Sequence, residues 1–319
     1  MTLGAYPDFA WSRSRQRDLD RCARRYYWRV YGSWKGWEED ASRSARLAYR
    51  LKQLTSLDMA FGQAVHRRAF ELVEAARSRR DPPGVEALRQ RTRSELAEVY
   101  RAQRPDFVDD PKGRPMLRAS YYGEGPDESS LQRLREKLDT CLPHLRALDL
   151  WERIREREVQ VLYVEDPDGE FRPPQVEVDG DDVYARPDLV LRGGADDTVE
   201  LVEWKTGLPR DDDPEQLALQ GLWVRTTLGT DRCRGTIHYL QDGSTRAVEI
   251  GPERLEAYED RIVRGLQRMR SLVADPAVNR PRDRSAFALA DDRWACRRCP
   301  FFELCEEELR ETGGLPWDR

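Results

Sequence analysis

Residues 182–207 read DVYARPDLVLRGGADDTVELVEWKTG, and this stretch decides the fold class. β-Branched and apolar residues fill Asp182–Arg192 and Thr198–Trp204, and clusters of Asp, Gly and Pro bound them, so both segments read as strands. The period of two puts Glu203 and Lys205 on the same face of their strand. If the two strands pair as hairpin neighbours, Asp188 sits beside Glu203. Two carboxylates and one ammonium then converge on a single point.

Outward from this stretch the strand pattern continues. Val159–Val164 precedes it, and Gly235–Leu240 and Thr245–Ile250 follow. A helix starts at Asp213-Pro214, which offer N-cap and N1 residue types, and another covers 252–274. The N-terminal half is helical instead. Leu19, Cys22, Tyr26 and Val30 share one face of a helix over 12–31, and Phe61, Ala64, Val65, Ala69, Leu72, Val73 and Ala76 form the apolar stripe of one over 56–79. Two more helical patterns, 84–103 and 128–150, flank a polar loop from Arg104 to Pro126. The expected fold class is α/β: a central mixed β-sheet flanked by helices, with residues 81–150 as a helical insertion or arm.

The chain has 319 residues, enough for a core that needs no disulfides. No apolar run approaches the roughly 20 residues of a membrane span, and Met1–Ser12 lacks a secretion signal. The expectation is a cytoplasmic protein with no membrane partner. The formal charge of −5 decides nothing about a polyanionic partner, because 35% of residues are charged and their distribution matters more. Only five of the 54 basic residues are Lys (Lys35, Lys52, Lys112, Lys137, Lys205). A lysine retained against that bias is a candidate for a specific role. No phosphate-binding G-x-x-x-x-G-K-[ST] loop is present, so the chain carries no motor of that kind.

Asp188, Glu203 and Lys205 suit phosphodiester hydrolysis. Hard Mg²⁺ or Mn²⁺ takes carboxylate oxygens and keeps waters. Such an ion acidifies water and offsets charge on the phosphate, and a nearby lysine can stabilise the transition state.

The arrangement Arg186-Pro187-Asp188 followed by Glu203-Trp204-Lys205 resembles the RecB-type branch of the PD-(D/E)xK nucleases. Gly62-Gln63-Ala64-Val65-His66 matches that branch's G-x-x-x-H helix. The resemblance implies a restriction-endonuclease-like core over 151–275. It also implies a metal held by His66, Asp188, Glu203 and the Trp204 backbone carbonyl, with Gln216 near the catalytic lysine. Glu158, entering the first strand, stands for the family's upstream glutamate; its acidic neighbours Glu152, Glu156 and Glu165 show that a charged helix end can supply such a match by chance. Gln216 could equally cap its own helix through Asp213. The sequence departs from the family pattern at Gln220, where a tyrosine is usual, and at Ala185, where a glycine is.

Cys296, Cys299 and Cys305 form C-x₂-C-x₅-C, and Cys22 is the fourth candidate ligand. On spacing alone, thiolates hold zinc or an iron–sulfur cluster equally well. The split arrangement resembles the CRISPR-adaptation and AddB-type nucleases, which implies a [4Fe–4S] cluster joining residues 1–80 to a C-terminal segment 276–319. Here Ala23 replaces the family's proline. Cys141 and Cys233 read as buried hydrophobes. Near Cys22 the chain interleaves arginines with aromatics, and Arg24, Arg25 and Tyr27, together with Gln220, are the candidate nucleic-acid contacts.

The expected activity is a metal-dependent DNA nuclease, an exonuclease on single-stranded or end-bearing DNA. It would act in repair, CRISPR adaptation or phage defence, with a helicase, integrase or defence-system protein as partner. A catalytically inactive nuclease-like DNA-binding subunit and a site-specific duplex endonuclease are the alternatives.

Overall fold

Residues 182–192 form two strands rather than one. Pro187 has no N–H to give to a ladder and turns the chain between them. The computed structural model describes residues 4–102, 107, 110, 113–123, 125–167, 174–193 and 198–315. Of the loop expected over 104–126, residues 104–106, 108–109, 111–112 and 124 lie outside the described residues, as do 316–319 of the C-terminal segment. Among the described residues no helix is long and apolar enough to cross a membrane.

The main strands are β1 (Ala10–Trp11), β2 (Val159–Val164), β3 (Gln175–Val178), β4 (Asp181–Tyr184), β5 (Leu189–Gly193), β6 (Thr198–Lys205), β7 (Cys233–Tyr239) and β8 (Ser244–Glu249). Five of them make a mixed sheet in the order β2-β5-β6-β7-β8. All its neighbours are antiparallel except β6 and β7, which are parallel. The other half of the expected 182–192 strand, β4, belongs to a small sheet with β1 and β3.

The main helices are α1 (Arg13–Arg21), α2 (Ala23–Tyr27), α3 (Arg43–Leu51), α4 (Leu57–Arg77), α5 (Val85–Arg101), α6 (Glu128–Arg146), α7 (Leu150–Arg155), α8 (Pro214–Leu228) and α9 (Pro252–Arg270). Parallel strands need a long crossover, and α8 supplies it between β6 and β7. The helix expected over 12–31 is broken at Cys22, whose backbone is extended between α1 and α2, and it continues beyond Tyr27 as a π-helical turn, Trp28–Gly32.

Two apolar layers cover the sheet. Val190, Val199, Leu201 and Ile237 face α8, α9 and the small sheet. Leu189, Leu191, Val202 and Trp204 face α4 and the helices of residues 81–155, whose Leu88, Leu142 and Trp151 join the same cluster. β6 is therefore apolar on both sides, which explains its nearly continuous hydrophobic run. Gly235 in β7 permits the close seat of α8: a Cβ there would lie 2.4 Å from Leu217 Cδ1.

A third cluster joins the two ends of the chain, with Trp28, Leu51, Cys296, Phe301, Cys305 and Leu309 buried together. Arg24 is its clasp. It is 3% exposed, donates from Nε to the Phe287 carbonyl at 3.0 Å, and makes a two-pronged ion pair with Glu308. Arg25 pairs with Asp18 at 2.6 Å. Tyr27 packs on Phe287, with ring centroids 5.0 Å apart. The nucleic-acid role expected of Arg24 and Tyr27 is thus corrected: both are used in holding the termini together, because an arginine beside aromatics serves a fold as readily as a ligand, whereas Arg25 is engaged within the N-terminal segment by Asp18.

A buried guanidinium whose partner is removed, or a buried partner left alone, costs a few kcal/mol. Glu308 keeps a third of its side chain exposed, so most of the loss falls on the Arg24 side. Arg24→Ala should lower unfolding stability by about 2–4 kcal/mol, read as a shift of the urea midpoint. An unchanged midpoint with weakened DNA binding would return Arg24 to the surface.

Candidate active site

Three strands end at one edge of the sheet and deliver the site's acidic groups. The β5–β6 ladder pairs Leu189 with Val202, and one step further the same register sets Asp188 opposite Glu203. The β2–β5 ladder pairs Val164 with Leu189, which sets Glu165 opposite Asp188, and the Glu165 N–H donates to the Asp188 carbonyl at 2.9 Å. Alternation along β6 then turns Glu203 and Lys205 toward α8, on the side of Val199 and Leu201, and Trp204 toward α4.

Asp188 and Glu203 are 4% and 2% exposed, and buried carboxylates need partners. The Trp204 N–H donates to Asp188 Oδ2 at 3.0 Å. Glu203 Oε1 accepts from Lys205 Nζ and from Gln216 Nε2, each at 2.7 Å. Its Oε2 accepts from Gln220 Nε2 at 2.9 Å. Lys205 Nζ also donates to Gln216 Oε1 at 2.7 Å, and that oxygen accepts from Arg13 Nη1 at 3.3 Å. Lys205, Glu203 and Gln216 therefore form one closed triangle of hydrogen bonds.

Gln216 does not cap its helix. The Asp213 side chain accepts instead from the Arg210 N–H and the Tyr239 hydroxyl, and α8 starts without a side-chain cap. Gln220 is fully buried. Its amide donates to Glu203 and to the Arg186 carbonyl, so the expected contact with nucleic acid is corrected to a support for Glu203. Its Oε1 has no donor among the described residues.

α4 brings His66 in from the other layer. Its Nδ1 lies 3.4 Å from Asp188 Oδ1 and 3.6 Å from Glu165 Oε2. His66, Glu165 and Asp188 each offer a ligand atom, and these atoms all lie within 4.8 Å of one another. This group differs from the expected His66, Asp188 and Glu203 set by one carboxylate, since both Glu203 oxygens are engaged by Lys205 and the glutamines. Glu165 also takes the place expected for Glu158. Val159 pairs with Gly193, so Glu158 lies at the far end of β2, about 20 Å from Asp188 at ~3.3 Å per residue. The antiparallel register of β2 against β5 was the missing signal. Arg186 and Arg13 were also missed: Arg186 pairs with Glu165 at 2.8 Å, and Arg13 steadies Gln216.

The charges act on one another strongly. Burial, and then the nearby Glu203, push Asp188 up to about 8. Burial works to lower the His66 imidazolium, but Asp188, Glu165 and Glu203 outweigh it and raise it to about 9. Burial likewise opposes the charge on Lys205, and Glu203 and Asp188 reverse that, holding its ammonium above the usual range. The Asp188 carboxylate is thus held in its charged form only against the cost of burial. Three oxygen and nitrogen donors from a histidine and two carboxylates match a divalent cation of the Mg²⁺ or Mn²⁺ type, and such an ion would favour the charged form of the buried Asp188 carboxylate.

The four clustered cysteines are free thiols. Burial raises Cys299 to about 12 and Cys305 to about 11, and it raises Cys296 as well. Cys22 lies close enough to all three to add to each shift. The Trp28 indole N–H points at Cys305 Sγ, 3.3 Å away. Cys141 and Cys233 are buried elsewhere, in the two layers that cover the sheet.

A family model described as the PD-(D/E)XK nuclease superfamily matches residues 10–306, a span that includes every residue of this site and the helices of 81–150. No curated protein matches the sequence. With the mixed sheet, the carboxylates at its edge and the adjoining lysine all in place, the chain belongs to the PD-(D/E)XK nuclease superfamily.

Proposed function

We propose that this protein is a Mg²⁺- or Mn²⁺-dependent deoxyribonuclease that trims single-stranded or end-bearing DNA. The observation that carries the proposal is the Lys205 ammonium held 2.7 Å from both Glu203 and Gln216, beside the His66, Glu165 and Asp188 group. An idle or merely structural descendant of a nuclease has no need to keep these buried charges together, since burying them is costly. His66, Glu165 and Asp188 would hold the ion, with Glu203 and the Trp204 carbonyl completing its surroundings. The ion supplies Lewis-acid chemistry, acidifying water and offsetting charge on the phosphate.

The protein's own groups do the rest. An ammonium has three N–H donors. Two are committed to Glu203 and Gln216, which leaves one for a phosphate oxygen or the attacking water. Gln216 and Gln220 hold the Glu203 carboxylate in one orientation, and Arg13 holds Gln216. The Cys22, Cys296, Cys299 and Cys305 thiols would bind a [4Fe–4S] cluster, with the Trp28 N–H donating to a ligand sulfur. The cluster would reinforce the joined termini that carry Arg13 to the site. DNA repair, CRISPR adaptation and phage defence, with a helicase, integrase or defence-system partner, are the settings where such an enzyme fits. A site-specific duplex endonuclease is the alternative activity, and it would give discrete fragments rather than progressive shortening.

Cleavage of single-stranded DNA should require Mg²⁺ or Mn²⁺, stop with EDTA, and be lost in Asp188→Ala and Glu203→Ala. Glu165→Gln should lower it by about 10–100-fold, the usual range for loss of a group supporting a metal site, whereas Glu158→Gln should leave it intact. Lys205→Arg keeps the charge but replaces a compact donor with a broad planar fork. It should slow turnover by about tenfold or more, roughly 1.4 kcal/mol, with DNA binding nearly unchanged. Full activity of Asp188→Ala would remove the assignment.

Anaerobically purified protein should be brown, and replacing any one of Cys22, Cys296, Cys299 or Cys305 with Ser should bleach it and lower its melting temperature. A colourless protein with one equivalent of zinc would replace the cluster with a zinc site.

A further inference from the structure

A second cavity, of about 510 Å³, lies away from the carboxylates, where the N-terminal end of α4, the N-terminal end of α6 and the Cys296–Cys299 loop meet. Arg118, Arg133, Arg297 and Arg298 line it and come from three separate segments. Among the described residues none of these four makes an ion pair. Some surface arginines elsewhere are matched, as Arg67 is with Glu95, Arg77 with Glu74 and Arg225 with Glu259, while others among the described residues stand singly; what sets these four apart is that they line one cavity together. Arg133 donates to the Ser129 and Ser130 hydroxyls at 3.0 and 2.8 Å, and Arg118 donates to the Arg297 carbonyl at 3.1 Å. These bonds hold two of the guanidiniums in place without neutralising them. Of the two carboxylates in the lining, Asp58 is matched by Lys137 at 2.5 Å, and Asp127, which accepts from the Ser130 N–H at 2.6 Å, offsets only one of the four arginines. The cavity is left with a surplus of positive charge.

One helix connects this cavity to the candidate active site. Ser56 at the start of α4 lines the cavity, and Met59, Gln63 and His66 follow at spacings of three, four and three residues, which keeps all four on one face. Met59 is 58% exposed, one of few large apolar side chains so open, and Gln63 is exposed too. The run from Ser56 to His66 covers about 15 Å of helix. It begins among unpaired arginines, passes an exposed adaptable thioether suited to base faces, and ends at the His66, Glu165 and Asp188 group.

We propose that this cavity and the α4 face bind single-stranded DNA beyond the scissile phosphate, with Arg118, Arg133, Arg297 and Arg298 contacting its backbone phosphates. The inference rests on the nuclease reading above and adds a second contact region to it. Arginines recognise phosphate by charge and by their planar fork. A volume within the ~300–1,000 Å³ of pockets that enclose a small ligand admits one or two nucleotides of a single strand and excludes a duplex. The two residues between Cys296 and Cys299 are both arginines in this set, so the cysteine-bearing loop presents substrate contacts as well as binding its metal.

The test compares two oligodeoxythymidylates, one of about twenty residues and one of about four, which cannot bridge ~15 Å of helix and also fill the cavity. The full-length protein with Mg²⁺ is used throughout, and melting temperature checks folding. Wild type should favour the long substrate in kcat/KM. Arg133→Gln, on α6 and away from the cysteines, and the double variant Arg297→Gln with Arg298→Gln should reduce that length advantage through KM. Each lost contact should also lower the slope of log affinity against log salt for the long strand by about 0.7. Arg133→Lys should restore most of the slope. A salt slope and length advantage equal to wild type in both Gln variants, while the short strand is still cleaved, would overturn the second region alone. Failure of wild type to cleave either strand would instead strike the nuclease reading.

Discussion

The site depends on one half-buried cation. Lys205 sits between Glu203 and Gln216 at the edge of the central sheet, and without it the convergence of Glu165, Asp188 and Glu203 would not be stable. Two like charges 4 Å apart repel by roughly 4 kcal/mol at an effective dielectric constant near 20. That is a large share of the 5–15 kcal/mol that typically stabilises a domain. The protein meets this with Lys205, with His66 and Arg186 around Glu165, and with the amides of Gln216, Gln220 and Trp204. Burial still works against the Asp188 charge, and pushes its carboxyl up. A buried carboxylate beside a histidine and a second carboxylate, with its neighbours held by hydrogen bonds, is prepared for a divalent ion.

The architecture explains why these groups meet. β2, β5 and β6 end together, so three carboxylates share one edge. The parallel step from β6 to β7 forces a crossover, and α8 brings Gln216 and Gln220 back over Glu203. The layer on the opposite face supplies His66 from α4. The termini close the arrangement: α1 places Arg13 against Gln216, and α1 is anchored in turn by the Arg24–Glu308 clasp and the cysteine-bearing segment. Stability at the ends of the chain and order in the active site are thus linked through one short helix.

Much of this was legible in the sequence. The strand pattern around Asp188 and Glu203, the α4 stripe and the Asp213-Pro214 helix start are all local signals, and local signals survive folding. The pairing partners of those segments were harder to read. Glu165 was passed over for Glu158 because only the register of β2 against β5 tells which end of β2 meets Asp188. The single strand over 182–192 split because Pro187 acted as a breaker and sent the halves to different sheets. Arg24, Arg25 and Tyr27 looked like a nucleic-acid surface because composition cannot tell a guanidinium facing solvent from one that faces Glu308. Gln220, in place of the expected tyrosine, became intelligible once its amide was seen to face Glu203.

The central claim is that the buried acidic edge of the sheet is a divalent-cation site built from His66, Glu165 and Asp188. The most direct measurement is anomalous diffraction from crystals of the protein soaked in Mn²⁺. A manganese peak among His66, Glu165 and Asp188, lost in Asp188→Asn crystals, is the result expected. A peak confined to other residues, or an Asp188→Asn crystal that keeps it, would contradict the account.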